Sequence, residues 1–324
     1  MNKKRLTGVI CLIAVLLCTS ACNNPVDKPS PEIVRLTMAT GGTSGTYYPF
    51  GGALAEAIES ATDYIRINVS ATGASAENIR QIGAGLADLA IVQNDVMDYA
   101  YNAANTWTSD AVTNMSTLMS LYPEVCQLIV SADSGISNVA DLAGKRVSTG
   151  DTGSGVEENA LQILDAYGIG VADIEQKHLG FSASADAVKD HSIDAFFATS
   201  GLPNTAVADL QQSRNIILIS LDDDKIADLI KKYPFYSRVT ITSADYPFLT
   251  EPVTTIAVKA TLIASPDLDE QIAYDIVKSI IESKDALTAS HAKGEFISPQ
   301  SAVEGVSVGF HPGARRYLEE IGAL

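Results

Sequence analysis

Two loops of small, hydroxyl-bearing residues are the segments whose types and spacing point to chemistry. Thr40-Gly41-Gly42-Thr43-Ser44-Gly45-Thr46 follows an apolar alternating run (Ile33, Val34, Leu36, Met38) and precedes a helical pattern. Thr149-Gly150-Asp151-Thr152-Gly153-Ser154-Gly155 follows Arg146-Val147-Ser148 and precedes another. The order strand, Gly/Ser/Thr loop, helix leaves bare backbone N–H groups and small hydroxyls at a helix N-terminus. First-turn N–H groups lack intrahelical partners, so such a terminus is suited to an anion. Two of these loops, far apart in the chain, predict two half-sites closing on one small ligand.

The candidate ligand-facing residues follow from this. Thr43, Ser44 and Thr46 offer hydroxyls, the alternative being a tight turn with solvent-facing side chains. Tyr47 or Tyr48 caps the ligand while the other faces the core. Ser75 stands at the next helix start, as a ligand contact or an N-cap, and Asn78 lies in the first turn, facing ligand or solvent. Gln93 and Asp95 alternate with Asn94 at the end of a buried strand, so one set points into the crevice where α/β folds hold ligands. Asp95 would receive a ligand ammonium, and Glu124 is a second acceptor for an ammonium or hydroxyl. Asp151, Thr152, Gly153, Ser154 and Gly155 form the second anion loop, Asp151 alternatively capping the helix, and Thr199 and Ser200 complete that side. No arginine stands in either loop; Arg80 and Arg146 read as structural or peripheral, so anion recognition falls to hydroxyl and amide groups.

Strand and helix patterns alternate along the chain, which predicts an α/β fold with largely parallel sheets. Phe50, Leu54 and Ile58 mark one face of a helix; Ile65–Val69, Leu89–Val92, Val125–Val130 and Ala195–Ala198 read as strands. The second loop leads into a helix from about Val156 to Tyr167, and Asn204–Leu210 reads as another. Further strands are expected at Ile216–Leu221, Ser237–Ile241 and Thr254–Lys259, and tail helices at about Glu270–Leu287 and Gly313–Ile321. Asn105–Asn114 and the run Asp222-Asp223-Asp224 read as solvated loops.

The chain has 324 residues, enough for two domains or one large one, and a formal net charge of −17, which argues against nucleic acid as a partner. Residues 1–21 read as a signal peptide: Lys3-Lys4-Arg5, an apolar stretch from Val9 to Leu17, then Cys18-Thr19-Ser20-Ala21-Cys22. Cys22 is the expected lipidation site, with Thr19 where a lipobox usually carries Leu; the alternative is an ordinary cleaved signal. Residues 22–32 read as a polar, proline-containing tether, and the folded part is expected to be extracytoplasmic. Cys126, in a strand-like run, reads as a buried inert thiol. Neither glycine loop carries the Gly-Lys-Ser/Thr of a P-loop or a spaced dinucleotide pattern. The histidines at 178, 191, 291 and 311 lack metal-ligand spacing, and no nucleophile–base motif stands out, so no metal, cofactor or enzymatic activity is expected.

Gly41-Gly42-Thr43-Ser44-Gly45-Thr46-Tyr47-Tyr48-Pro49 resembles the opening signature of the TAXI-type solute receptors of TRAP transporters. So do Ala87–Asp95 (ADLAIVQND), Val139–Val147 (VADLAGKRV), Asp194–Phe197 (DAFF) and Phe310–Tyr317 (FHPGARRY), in order from about Val34 to Gly322. The resemblance implies a two-lobed, periplasmic-binding-protein-like type II fold, each lobe a mixed sheet flanked by helices. Lobe I is then residues 33–126 and 256–324, and lobe II residues 127–255, with crossings near Glu124–Leu128 and Val253–Val258. It also implies a receptor for a small organic anion, a glutamate-like amino acid or oxo-dicarboxylate, handed to integral membrane TRAP subunits; a monomer is expected. Ser200 stands where the family often carries a smaller residue.

Overall fold

The alternating runs become β1 (Val34–Ala39), β2 (Ile65–Ser70) and β3 (Leu89–Gln93), joined in parallel through α1 (Tyr47–Ala61) and α2 (Ser75–Gly83). Phe50, Leu54 and Ile58 are all fully buried on α1, as their spacing of four predicts. All five residues of β3 are buried, as expected of a strand covered on both faces. After α3 (Asn94–Tyr101) the chain enters β4 (Ser116–Ser131), a 16-residue strand. The computed structural model describes residues 32–324, and residues 33–324 form one compact unit; the leader, Cys22 and the tether to Pro31 lie outside the described residues.

A second set of parallel strands follows: β5 (Arg146–Ser148), β6 (Glu175–Lys177) and β7 (Ala195–Ser200), with α4 (Gly155–Ala166) and α5 (Phe181–Lys189) between them. Next come α6 (Thr205–Ser213), β8 (Ile216–Leu218), α7 (Asp223–Lys232), β9 (Ser237–Ile241) and the 12-residue β10 (Val253–Ala264). The tail is α8 (Glu270–Glu282), α9 (Lys284–Ser290) and α10 (Pro312–Glu320). The ten strands run in the order β2-β1-β3-β10-β4-β7-β5-β6, with β8 on β4 and β9 on β10.

β4 and β10 connect the two halves of this two-lobed fold. They pair antiparallel from Val125↔Ala257 to Ser116↔Ala264. β10 also carries β9 along Val253–Ala257 and β3 along Ala260–Ala264, while β4 carries β7 and β8 along Val125–Ser131. Separate apolar cores sit to either side. Phe50, Ile91 and Val277 belong to clusters on the β1–β3 side, and Val147, Ile163 and Phe196 to clusters on the β5–β7 side.

Four local expectations need correction. The Val125–Val130 strand starts earlier, at Ser116, because β4 runs on through Pro123, whose missing N–H is accommodated beside a register shift between Lys259 and Thr261. Asp222–Asp224 is the start of α7, where acidic side chains complement the helix dipole. The expected helix from Glu270 to Leu287 breaks at Ser283 into α8 and α9. The Asn105–Asn114 segment contains a 3₁₀ turn that buries Trp107, so it is not wholly solvated.

α10 lies against the first turn of α8 through Gly313. A Cβ there would meet the carbonyl oxygen of Glu270 and sit 2.8 Å from the nitrogen of Tyr274. Gly313→Ala is therefore expected to lower unfolding stability by about 1–3 kcal/mol, read by urea denaturation. An unchanged midpoint would mean the two helices separate freely.

Candidate functional site

Helices that start at the ends of parallel strands converge on one cavity. Its walls include Thr46 and Tyr47 at the start of α1, Ala74 and Ser75 at that of α2, Gly155 and Val156 at that of α4, and Phe181 at that of α5. Gln93 at the end of β3, Thr199 and Ser200 at the end of β7, and Glu124 in β4 complete it. The first-turn N–H groups of each helix have no intrahelical acceptor. Thr46, Ala74 and Gly180, which precede α1, α2 and α5, make no side-chain cap; Ser154 caps α4 by accepting from the Glu157 N–H at 3.2 Å. Four helix N-termini thus direct positive potential at one small space.

A carboxyl stands in that space with no cation beside it. Glu124 is buried and its Oε2 accepts from the Tyr47 hydroxyl at 2.6 Å. Burial pushes its pKa up to about 8, opposed by the Tyr47 hydrogen bond and reinforced by the nearby Asp95. Burial also raises Tyr47 well above the ordinary tyrosine value, with Glu124 adding to the effect. Among the described residues, no lysine, arginine or histidine lines the cavity. Arg80 stacks on Trp107 at 4.4 Å and Arg146 pairs with Asp194 at 2.6 Å, both away from the cavity wall.

Of the two adjacent tyrosines, Tyr47 faces the cavity and Tyr48 is exposed. Gln93 turns its side chain toward α4, where only a glycine at position 155 leaves room: a Cβ on Gly155 would overlap the Gln93 amide. The Gln93 Oε1 is buried without a partner among the described residues. Ser75 also works structurally, its Oγ accepting from the Gln93 N–H at 3.0 Å. Thr199 donates to the Cys126 sulfur at 3.4 Å, and Ser200 Oγ accepts from Asn204 Nδ2 at 3.1 Å. Cys126 is buried, and that burial raises its thiol pKa.

Other expected residues lie elsewhere. Thr43 and Ser44 line an adjoining recess with Asp151 and Ser154. Thr152 is exposed and lines neither space. Gly153 spends its backbone on structure: its carbonyl accepts from Ala76 N at 3.2 Å and its N–H donates to Glu157 at 2.7 Å. Asn78 faces neither cavity nor solvent. Its Nδ2 donates to the Ile91 carbonyl at 2.8 Å and also to Thr40, and its Oδ1 accepts from Thr72 at 2.6 Å, tying β1 to β3. Asp95 turns away from the cavity and bonds Asn159 of α4.

Gly155, the last residue of the second loop, lines the cavity; Phe181 and Val156 line it too, without any motif that marks them. Phe181 closes over the first loop, where a Cβ on Gly45 would come within 3.3 Å of its ring. Lys293, also unforeseen, is buried and donates to the Leu202 carbonyl at 2.6 Å beside Thr46. Among the described residues there is no His/Cys/Asp/Glu cluster suited to a metal, and no helix is long and apolar enough to cross a membrane.

The two elevated carboxyls set a pH dependence. Glu124 and Asp95 hold protons in the folded state that the unfolded chain releases above about pH 4. Stability therefore falls as pH rises from about 4 toward 7–8, by up to about 1.4 kcal/mol per pH unit for each group, and levels off above. Glu124→Gln should flatten that slope in urea denaturation curves at pH 5 and pH 8. Replacing Asn78 by Ala removes its hydrogen bonds to the Ile91 and Thr40 carbonyls, the latter keeping the Thr72 hydroxyl, and should cost about 1–3 kcal/mol at either pH.

Likeness to known proteins follows the same architecture. The alkanesulfonate-binding protein SsuA from Xanthomonas axonopodis pv. citri, solved with MOPS, is 15% identical over 90% of this chain and 85% of its own, with a TM-score of 0.52. An ancestral arginine-binding protein bound to arginine is 15% identical over 80% and 97%, with a TM-score of 0.50. At these identities the likeness is one of fold, the two-lobed α/β fold of binding proteins. The model of the NMT1-like family matches residues 38–322, nearly the whole described chain, and the protein belongs to that family.

Proposed function

We propose that this protein is an extracytoplasmic solute-binding receptor that captures a small carboxylate-bearing solute, a glutamate-like amino acid or an oxo-dicarboxylate. The observation that carries the reading is the convergence of four helix N-termini on one cavity that also holds the buried Glu124. The ligand carboxylate takes first-turn N–H groups of α1 and α2 on one side and α4 on the other, apart from those of Ala76 and Glu157, which bond Gly153 and Ser154. Lobe I comprises residues 33–126 and 256–324 and lobe II residues 127–255, so the two sides belong to different lobes and closure buries the ligand. Thr46, Tyr47, Ser75, Gln93, Thr199 and Ser200 shape the cavity. Thr43, Ser44, Asp151 and Ser154 guard its adjoining recess.

Glu124 favours the amino-acid form of the ligand. An ammonium beside it replaces the missing countercharge, and the carboxyl gives up its proton as the ligand binds. The Gln93 Oε1 supplies a second acceptor. A dicarboxylate without an ammonium binds only with Glu124 protonated.

The receptor delivers its ligand to the integral membrane subunits of a TRAP-type secondary transporter, a reading that rests on the TAXI-like motifs. Cys22 becomes the lipidated N-terminus and residues 22–32 the tether, and the protein works as a monomer. A binding protein for an ABC importer is the second reading, and a 13%-identical Listeria monocytogenes protein assigned to L-cystine ABC transport shares the fold at a TM-score of 0.52. Uptake driven by an ion gradient without ATP supports the first, and dependence on ATP assigns the second.

A thermal-shift screen of L-glutamate, L-glutamine and 2-oxoglutarate tests the ligand class, because a ligand bound only by the folded state raises the midpoint. At least one is expected to raise it by several degrees; no shift with any would overturn the carboxylate reading. Glu124→Gln should weaken an amino-acid ligand by about 10- to 100-fold, the loss of a charged hydrogen bond. It should leave a 2-oxo acid little changed. Equal weakening of both would place Glu124 outside ammonium recognition.

A further inference from the structure

A buried acid and a buried amide face one another across the two lobes, and their hydrogen bonding is incomplete by one proton. Asp95 lies on α3, whose Val96, Met97 and Ala100 pack into the core with Ala39 and Ile79. Asn159 lies on α4, whose Val156, Ala160 and Ile163 pack into a different core with Val147 and Phe197. Both polar side chains are essentially unexposed, and Asn159 Nδ2 donates to Asp95 Oδ2 at 2.9 Å. The remaining oxygens, Asp95 Oδ1 and Asn159 Oδ1, are both buried and have no partner among the described residues.

The orientation of the amide is fixed independently. Tyr236 donates its hydroxyl proton to Gln162 Oε1 at 2.7 Å, so its oxygen accepts, and it accepts from Asn159 Nδ2 at 2.9 Å. Two leftover acceptors beside a single N–H···O bond are what a carboxylic acid–amide pair leaves when its proton is not drawn. An ionised Asp95 would instead leave both unpartnered oxygens acceptor-only, with no countercharge among the described residues and only the Val96 and Asp95 N–H groups and the Asn159 amide favouring the anion.

We propose that Asp95 and Asn159 form a proton-dependent latch between the lobes: closure buries Asp95 in its protonated form, with Oδ1–H donating to Asn159 Oδ1 while Asn159 Nδ2 donates to Asp95 Oδ2. The groups that bear on Asp95 offer no positive charge. They are Glu158 beside Asn159 on α4, Glu124 and Cys126 on β4, Tyr99 on α3 itself and Tyr236 ahead of β9. Burial accordingly pushes Asp95 up to about 7.

In the open form the carboxyl is exposed and titrates near the ordinary value of about 4. The closed form therefore holds one more proton between about pH 4 and pH 7, and the closure equilibrium shifts toward open by up to about tenfold per pH unit across that window, levelling off above it. Glu124 acts in the same direction, so the latch is resolved by comparing variants at Asp95 with Glu124 left intact. Asp95→Asn replaces the acid proton by an amide N–H, keeps both bonds of the pair and cannot titrate.

The test uses ligand-free full-length protein, independently of any ligand assignment. The radius of gyration from small-angle X-ray scattering is compared at pH 5 and pH 8 for the wild type and Asp95→Asn. The wild type is expected to expand at pH 8, and the variant to expand less. No expansion of the wild type, or equal expansion of the variant, overturns the latch. Should the variant fail to fold, the wild-type Asp95 carboxyl is followed by ¹³C NMR titration. A midpoint near 7 supports the pairing, and a midpoint near 4 in the closed protein overturns it.

Discussion

The antiparallel pairing of β4 with β10 is the constraint on which the rest of the structure depends. Each strand is long enough to serve both halves, and each changes its outer neighbour midway: β10 from β9 to β3, β4 toward β7 and β8. The parallel strands of both halves consequently lie beside one shared pair, and their C-terminal ends meet at one cleft. Glu124 sits at this changeover, opposite Val258 and next to the first residue that pairs with β7. Its position is therefore fixed by the backbone ladder, and its burial follows from the meeting of the two sets of helices above it.

That geometry explains how a carboxyl survives where four helix N-termini converge. The helix termini lower the cost of negative charge, while burial raises it. Burial dominates, and it pushes the Glu124 carboxyl up to about 8, which favours the protonated form near neutral pH. Tyr47 supplies its one hydrogen bond, and Tyr47 in turn is held by the first turn of α1. The same loop that presents the α1 N–H groups thus also positions the donor to Glu124. A substitution that moves the loop would disturb both.

Much of this was legible in the sequence, because it depends on local order. Strand, small-residue loop and helix identified both halves of the cleft, and the polar residues ending β3 and β7 followed from where α/β strands stop. Family motifs, not periodicity, supplied the expectation of two lobes. What failed depended on side-chain direction. Asn78 stands three residues after Ser75 and four before Ile82, both on the buried face of α2, so its helical spacing placed it inward. α5 was missed because its buried face is Ser184, Ala185, Ala187 and Val188, too small and mixed to give an apolar stripe. Missing α5 meant missing Phe181, its first residue, over the first loop.

The absence of Lys and Arg from the cavity wall bears on how such a site can open and close. A guanidinium in a ligand-free closed cleft would be a buried charge without a partner, costing several kcal/mol. Backbone N–H groups at helix ends carry only partial charge, spread over several donors, and are solvated cheaply when the lobes part. The polar groups that remain buried here are ones that can be neutral: a protonated Glu124, a protonated Asp95 and the amides of Gln93 and Asn159. The cavity wall therefore holds no full charge that closure would strand, the buried Lys293 ammonium lying in a neighbouring recess on the Leu202 carbonyl, so ligand charge adds to closure instead of being required to rescue it.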